Sequence, residues 1–194
     1  MQIKTLKLKG ITKDYEHSFD NGLNIIAGPI SNGKTSILEF IDYCFGATFH
    51  PEHIEIQKEV RSVLLECEVN RDVFVIERPL FTSSRKAIIH ECSIANLDKE
   101  HTSQLVQARQ IKGKESISSY LLKKLGSFQR LLKEAPTKDA SDVDMMSFRD
   151  LMCFCFMSHA RLDNKQLLFE NVPMKRIKLH QVFDVIFKMH ANEL

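Results

Sequence analysis

One short motif constrains both the local backbone and the ligand chemistry of this chain. Residues 28–35 read Gly-Pro-Ile-Ser-Asn-Gly-Lys-Thr and fit the pattern G-x-x-x-x-G-K-[ST] at every fixed position. In that pattern, backbone N–H groups surround a phosphate, the lysine reaches the outer phosphates, and the hydroxyl meets Mg²⁺. The motif is a Walker A phosphate loop, which requires a strand before it and a helix after it.

The residues on either side of the loop agree with this requirement. An apolar run at residues 23–27 predicts the strand, and residues 35–45 predict a helix that ends at Gly46. Thr35 is the predicted Mg²⁺ ligand, because a ligand-free turn has no use for a lysine and a hydroxyl at these offsets. The predicted phosphate-binding residues are Gly28, Pro29, Ile30, Ser31, Asn32, Gly33, Lys34, Thr35 and Ser36.

Composition gives no general argument for a nucleic-acid partner. The 194 residues carry 27 basic and 25 acidic side chains, a net charge of +2. Two local basic clusters remain open to interpretation as solvated faces or as DNA contacts. They comprise Lys4, Lys7, Lys9 and Lys13, and Lys175, Arg176 and Lys178. The five cysteines contain no C-x-x-C pair, and neither a signal peptide nor a run of about 20 apolar residues is present. We therefore expect a cytoplasmic chain that does not enter a membrane.

Hydrophobic alternation after the loop predicts antiparallel strands. Residues 60–69 alternate, with Val63, Leu65, Cys67 and Val69 expected on one face. A turn at residues 70–72 and further strands at residues 73–78 and 87–94 complete a β-meander. Helices are predicted at residues 117–125, 147–157 and 179–189. The second of these begins at Ser147, which forms a capping-box pattern with Asp150.

The chain lacks a convincing second acidic site. Hydrolysis needs another acidic residue, placed after an apolar strand, to hold Mg²⁺. Glu66 lies in the alternating meander, and Asp184 lies in a helical pattern. There is also no L-S-G-G-like sequence, so the chain reads as part of a nucleotide site.

These features together resemble a known family. A strand hairpin, the segment 22–29 reading G-L-N-I-I-A-G-P, the Walker A loop, its helix and a meander ending in Ile76-Glu77-Arg78 are similar to the amino-terminal lobe of an SMC-like, SbcC-type ABC ATPase head. This group of P-loop NTPases includes chromosome-structure proteins and double-strand-break repair ATPases. The part around residues 148–169 is similar to a poorly characterised bacterial subfamily.

The resemblance implies an α/β fold, a P-loop NTPase half-head with a mixed sheet and an antiparallel β-meander, followed by helices. It divides the chain into a Walker A lobe at residues 1–95 and a helical part at residues 96–194, with a coiled coil or a cut site near residue 190. The implied cofactors are ATP and Mg²⁺. A carboxy-terminal ATPase lobe, from the same gene or a separate chain, would supply the missing motifs. A head-to-head dimer would then enclose ATP, with DNA as a further expected partner. The implied role is in DNA repair, chromosome maintenance or phage defence.

Two finer expectations come from the same resemblance. The family places a glutamine near the γ-phosphate just after the apolar run at residues 151–157, and His159 stands there as the candidate catalytic residue. Gln166 lies further on, and a surface position for His159 is the alternative. Residues 11–13 match positions that approach the base and ribose in the family.

Other functions remain open at this stage. A nucleotide-binding interaction module that does not hydrolyse its ligand would also lack the acidic strand. An independent P-loop kinase or GTPase would instead show alternating parallel strands and helices after the loop. His50 and His53 could share a metal, but no further ligand is suggested.

Overall fold

The computed structural model describes residues 1–30, 32–126, 131–133, 143–157 and 172–187. The chain forms two compact units, Met1–Leu125 and Gly126–Leu194. These units are defined by contacts, and the expected division into a Walker A lobe and a helical part at residues 95 and 96 stays a prediction.

The first unit is built on one antiparallel sheet. Its strands are β1 (Gln2–Gly10), β2 (Tyr15–Ser18), β3 (Val60–Val69), β4 (Asp72–Pro79), β5 (Lys86–His90) and β6 (Ser103–Gln107). They are hydrogen-bonded in the order β2-β1-β3-β4-β5-β6. The helices of this unit are α1 (Lys34–Cys44), α2 (Ile54–Glu59) and α3 (Ile117–Lys124), and a short 3-10 turn spans Ile94–Asn96.

The predicted β-meander is confirmed. Strands β3, β4, β5 and β6 follow one another along the chain and pair antiparallel with their neighbours. The predicted inner face of β3 is fully buried, from Val63 to Val69. Asn70 and Arg71 both have positive φ, at 52° and 74°, as a tight turn between twisted strands requires.

Helix α1 is attached to the sheet through its carboxyl end. The buried Arg78 guanidinium, on β4, donates hydrogen bonds to the carbonyl oxygens of Tyr43 and Ala47. It also lies 3.6 Å from the centre of the Tyr43 ring. The Tyr43 hydroxyl in turn donates to the Pro79 carbonyl at 2.7 Å. These contacts satisfy carbonyl groups that a helix end leaves without partners, and so fix the position of α1.

The prediction of a strand that leads into the phosphate loop is wrong. Residues 23–27 have no regular secondary structure, and no β-ladder among the described residues includes them. Leu23 is 87% exposed and Ile25 is 80% exposed. A strand is stabilised by hydrogen bonds to a neighbouring strand, and none of the described strands pairs with this segment. All described strand pairs of the sheet are antiparallel, whereas a mixed sheet was expected.

The described residues of the second unit form a short hairpin and two helices. The hairpin joins β7 (Leu131–Lys133) to β8 (Val143–Met145), and the helices are α4 (Phe148–Cys155) and α5 (Pro173–Ile186). The predicted capping box at Ser147 and Asp150 is confirmed. The apolar run at residues 151–157 predicts that Cys155 behaves as a small buried hydrophobe, but the structure leaves it exposed. None of the helices in the described ranges is long and apolar enough to cross a bilayer.

Candidate functional site

The amino end of α1, like those of α2 and α5, carries no side-chain cap. Its N-cap residue is Gly33, with φ 74° and ψ 11°, and the first turn contains no acidic residue. Helices α3 and α4, by contrast, begin with serine capping boxes. The first N–H groups of α1 therefore have no side-chain acceptor, and the positive end of the helix dipole favours an anion there.

Lys34 folds back over the loop that precedes it. Its Nζ donates hydrogen bonds to the carbonyl oxygens of Gly28, at 2.9 Å, and Pro29, at 2.5 Å. Both acceptors are neutral, and no carboxylate forms an ion pair with Lys34 among the described residues. The ammonium charge thus closes the loop while staying uncompensated, so that it can attract an anion.

A cavity of about 940 Å³ adjoins this loop. Three parts of the first unit line it: the β1–β2 hairpin, the start of α1, and α2 with its neighbours. The lining residues are Leu6, Leu8, Tyr15, Glu16 and His17; Asn32, Gly33, Lys34, Thr35, Ser36, Ile37 and Phe40; and His53, Glu55, Ile56, Glu59 and Val60. Apolar side chains and titratable ones share this wall, which suits a ligand with both an anionic end and an apolar end.

The cavity brings together part of the predicted site. Asn32, Gly33, Lys34, Thr35 and Ser36 all line it. The other predicted loop residues, Gly28, Pro29 and Ile30, do not line it. Gly28 and Pro29 contact Lys34 through their carbonyl groups, and Ile30 is 93% exposed. Ser31 and the predicted catalytic residue His159 lie outside the described residues. The binding roles given to these residues stay predictions.

Residues 11–13, expected near the base and ribose, are held by Glu59 at the end of α2. Its Oε1 accepts hydrogen bonds from the Thr12 hydroxyl at 2.5 Å, the Thr12 amide at 2.7 Å and the Lys13 amide at 3.1 Å. The Ile11 amide donates to the Glu59 backbone carbonyl at 2.8 Å. These bonds, the Thr12 hydroxyl first, hold the pKa of the Glu59 carboxyl below its usual value.

Sequence reasoning missed several lining residues. Glu16 and His17 lie on β2 and Glu59 lies at the end of α2, and no spacing in the sequence connects the strand with the helix. The two histidines considered as a metal-binding pair, His50 and His53, lie in different surroundings. His50 packs edge-on against Tyr43 and Phe81, whereas His53 lines the cavity. Within the described ranges, no group of three or more possible metal ligands occurs.

The basic clusters are partly neutralised. Lys4 pairs with Glu68 at 2.9 Å, and Lys7 pairs with Asp14 at 3.0 Å. In the second unit, Lys178 pairs with Asp144 at 2.7 Å. Exposed ion pairs of this kind contribute little to stability. They do reduce the positive electrostatic potential of the surface around the lysines. This favours the interpretation of the basic clusters as solvated faces over a DNA-binding patch.

Comparison with known proteins identifies the family. A search of curated proteins and a search of solved structures each gave no match. A family model described as "AAA domain" matches residues 6–169, which is most of the chain and includes the whole phosphate loop. With the loop, the uncapped helix start and the adjoining cavity in one place, the chain belongs to the AAA domain family of P-loop NTPases.

Proposed function

We propose that this chain is the ATP- and Mg²⁺-binding amino-terminal lobe of an SMC-like, ABC-type ATPase head that needs a carboxy-terminal lobe for hydrolysis. Family membership supports nucleotide binding. The resemblance of residues 1–78 supports the finer assignment to an SMC-like head and, through it, a role in DNA repair, chromosome maintenance or phage defence.

The residues at the start of α1 fit the proposed cofactors. Lys34 would neutralise charge on the β- and γ-phosphates, and the amides of the first turn would bind phosphate oxygens. Thr35 is exposed at the cavity and offers its hydroxyl as an Mg²⁺ ligand. Bound Mg²⁺ would offset phosphate charge and orient the triphosphate.

The main support for a second lobe is the solvent exposure of the apolar residues in the segment 23–27. Their apolar sequence predicts a strand, yet Leu23 and Ile25 are largely exposed and the segment belongs to no sheet formed by the described residues. Large exposed apolar side chains on a segment outside every described β-ladder offer a surface that another chain or lobe can cover. A carboxy-terminal lobe that contributes neighbouring strands would cover Leu23 and Ile25.

Neither acidic residue considered for hydrolysis lies directly after an apolar strand, because Glu66 lies inside β3 and Asp184 lies inside α5. The Glu66 carboxylate accepts a hydrogen bond from the Ile94 amide at 2.6 Å and does not line the cavity. Asp184 lies within helix α5 and does not follow a strand. A second lobe would therefore supply the acidic strand.

The antiparallel meander argues against an independent kinase or GTPase. In those folds, parallel strands alternate with helices after the phosphate loop. Here β3, β4, β5 and β6 are consecutive antiparallel neighbours. A binding module that does not hydrolyse its nucleotide is the second candidate. It is supported by the histidine at position 159, where the resembled family has a glutamine.

Steady-state turnover tests the proposal. ATP hydrolysis is measured for the chain alone, for the chain mixed with a carboxy-terminal lobe that carries L-S-G-G and an acidic strand, and for the same mixture made with Lys34→Ala. We expect no turnover alone, turnover in the mixture, and none with Lys34→Ala. Turnover by the chain alone would contradict the requirement for a second lobe. Binding without turnover in the mixture would favour the non-hydrolysing module.

A further inference from the structure

Glu59 connects the loop between β1 and β2 with the wall of the cavity. Its Oε1 accepts three hydrogen bonds from Thr12 and Lys13, while Glu59 itself lines the cavity together with Lys34 and Thr35. One carboxylate oxygen on two adjacent amides and one hydroxyl is a specific arrangement, and hydrogen bonds to an ionised acceptor are the strong ones.

The loop held by Glu59 is closely packed. A Cβ added to Gly10 would lie 1.9 Å from the Lys13 carbonyl oxygen and 3.0 Å from Glu59 Oε1. The Gly10 amide also donates to Asp14 Oδ1 at 3.1 Å. Only glycine fits where the Lys13 carbonyl approaches the chain, and the Glu59 carboxylate lies beside the same position and holds Thr12 and Lys13.

This conformation reaches the cavity through the hairpin that the loop closes. Leu8 and Tyr15 are paired across β1 and β2, and both line the cavity. The Lys13 ammonium group lies 4.8 Å from the centre of the Tyr15 ring. Glu59 therefore fixes the backbone of Lys13, and Lys13 covers the ring that forms part of the cavity wall.

We propose that Glu59 is a positioning residue for the nucleoside part of the bound nucleotide, acting through Thr12 and Lys13. The inference rests on the proposed function. With the phosphates at Lys34 and Thr35, the remainder of the nucleotide extends into the cavity toward the β1–β2 hairpin. Glu59 sets the position of the hairpin loop and so the shape of that end. It contributes nothing directly to phosphate binding.

Two ligands separate this role from phosphate binding: Mg²⁺-ATP and Mg²⁺-tripolyphosphate, which has the phosphates but no nucleoside. Their affinities are measured by calorimetry for the whole chain, and thermal unfolding checks each variant's fold. We expect Glu59→Ala to weaken ATP binding about tenfold, which corresponds to the loss of one charge-assisted contact, and to leave tripolyphosphate binding unchanged. Glu59→Gln keeps an acceptor oxygen and should retain ATP affinity within about threefold.

One further variant keeps the test decisive if Glu59→Ala fails to fold, and another serves as the charge control. Thr12→Val removes only the hydroxyl donor and should weaken ATP binding by about threefold, with tripolyphosphate unaffected. Glu52→Ala removes the same charge at an exposed position outside the cavity and should bind both ligands normally.

The possible failures are distinguishable. Unchanged ATP affinity in Glu59→Ala and Thr12→Val, or an equal loss for ATP and tripolyphosphate, would overturn the positioning role and leave the proposed function intact. A wild-type chain that binds neither ligand would overturn both.

Discussion

At the residue scale, the cysteines differ sharply in their surroundings. Cys44 and Cys67 are completely buried, at 0% exposure, while Cys155 is exposed. Burial raises the pKa of the Cys44 thiol to about 12, and burial likewise raises the pKa of the Cys67 thiol. The thiolate is the nucleophile, so both buried groups are inert in the folded chain.

Native alkylation tests this difference. Treatment with iodoacetamide at pH 8 should label Cys155 and leave Cys44 and Cys67 unmodified, as read by peptide mass spectrometry. The same treatment in denaturant should label all three, since unfolding returns the thiols to their ordinary pKa. Labelling of Cys44 in the native chain at the rate of Cys155 would contradict the buried position of α1's last residue.

Arg78 provides a second residue-scale prediction. Arg78→Met removes the donor to the Tyr43 and Ala47 carbonyls, and should lower the free energy of unfolding by about 3 kcal/mol. Arg85→Met makes the same change at an exposed position and should stay within about 0.5 kcal/mol of wild type. Chemical denaturation measures both, and equal effects would show that Arg78 does not secure α1.

At the scale of elements, two apolar segments are packed differently. Residues 23–27 and residues 73–76 of β4 both consist mainly of apolar residues, but Ile76 is fully buried and Ile25 is 80% exposed. The sheet gives β4 a neighbour on each side, β3 and β5. Stability depends on this burial, not on the pattern alone.

Truncation of each isoleucine tests that contrast. Ile76→Ala should cost about 2–5 kcal/mol through lost burial and the cavity left behind. Ile25→Ala should change the free energy of unfolding by less than about 0.5 kcal/mol. Denaturant titration of the two variants gives the answer, and a large loss for Ile25→Ala would mean that residues 23–27 are already packed in the chain by itself.

The same contrast explains what could be predicted from the sequence. Strand β3 and helix α1 were predicted closely, because their buried faces impose clear alternation and helical spacing. Strand β6 was missed, since Val106 is the only fully buried residue of this edge strand and no alternation results. The apolar pattern of residues 23–27 predicts a strand, but strand formation also requires a pairing partner, which the pattern does not reveal. At the site, local spacing predicted Lys34 and Thr35, whereas Glu59 reaches the cavity through tertiary structure alone.

At the scale of the whole molecule, the proposed second lobe should bind the exposed segment. Leu23→Asp combined with Ile25→Asp should leave the chain's own stability and Mg²⁺-tripolyphosphate affinity nearly unchanged. It should abolish activation of ATP turnover by the carboxy-terminal lobe, because charges on the pairing segment would be buried without partners. Leu105→Asp, on the exposed edge strand β6, is the control and should retain activation. Normal activation of the double variant would place the lobe interface elsewhere.

The most direct test of the account is the affinity of the chain for Mg²⁺-ATP with and without the Lys34 ammonium group. Calorimetry on wild type, Lys34→Ala and the exposed control Lys86→Ala measures it. We expect binding by wild type and Lys86→Ala, and a loss of about 100-fold or more in Lys34→Ala, because a charge-assisted contact to phosphate disappears. Unchanged affinity in Lys34→Ala would contradict the claim that residues 28–35 and the start of α1 hold a triphosphate.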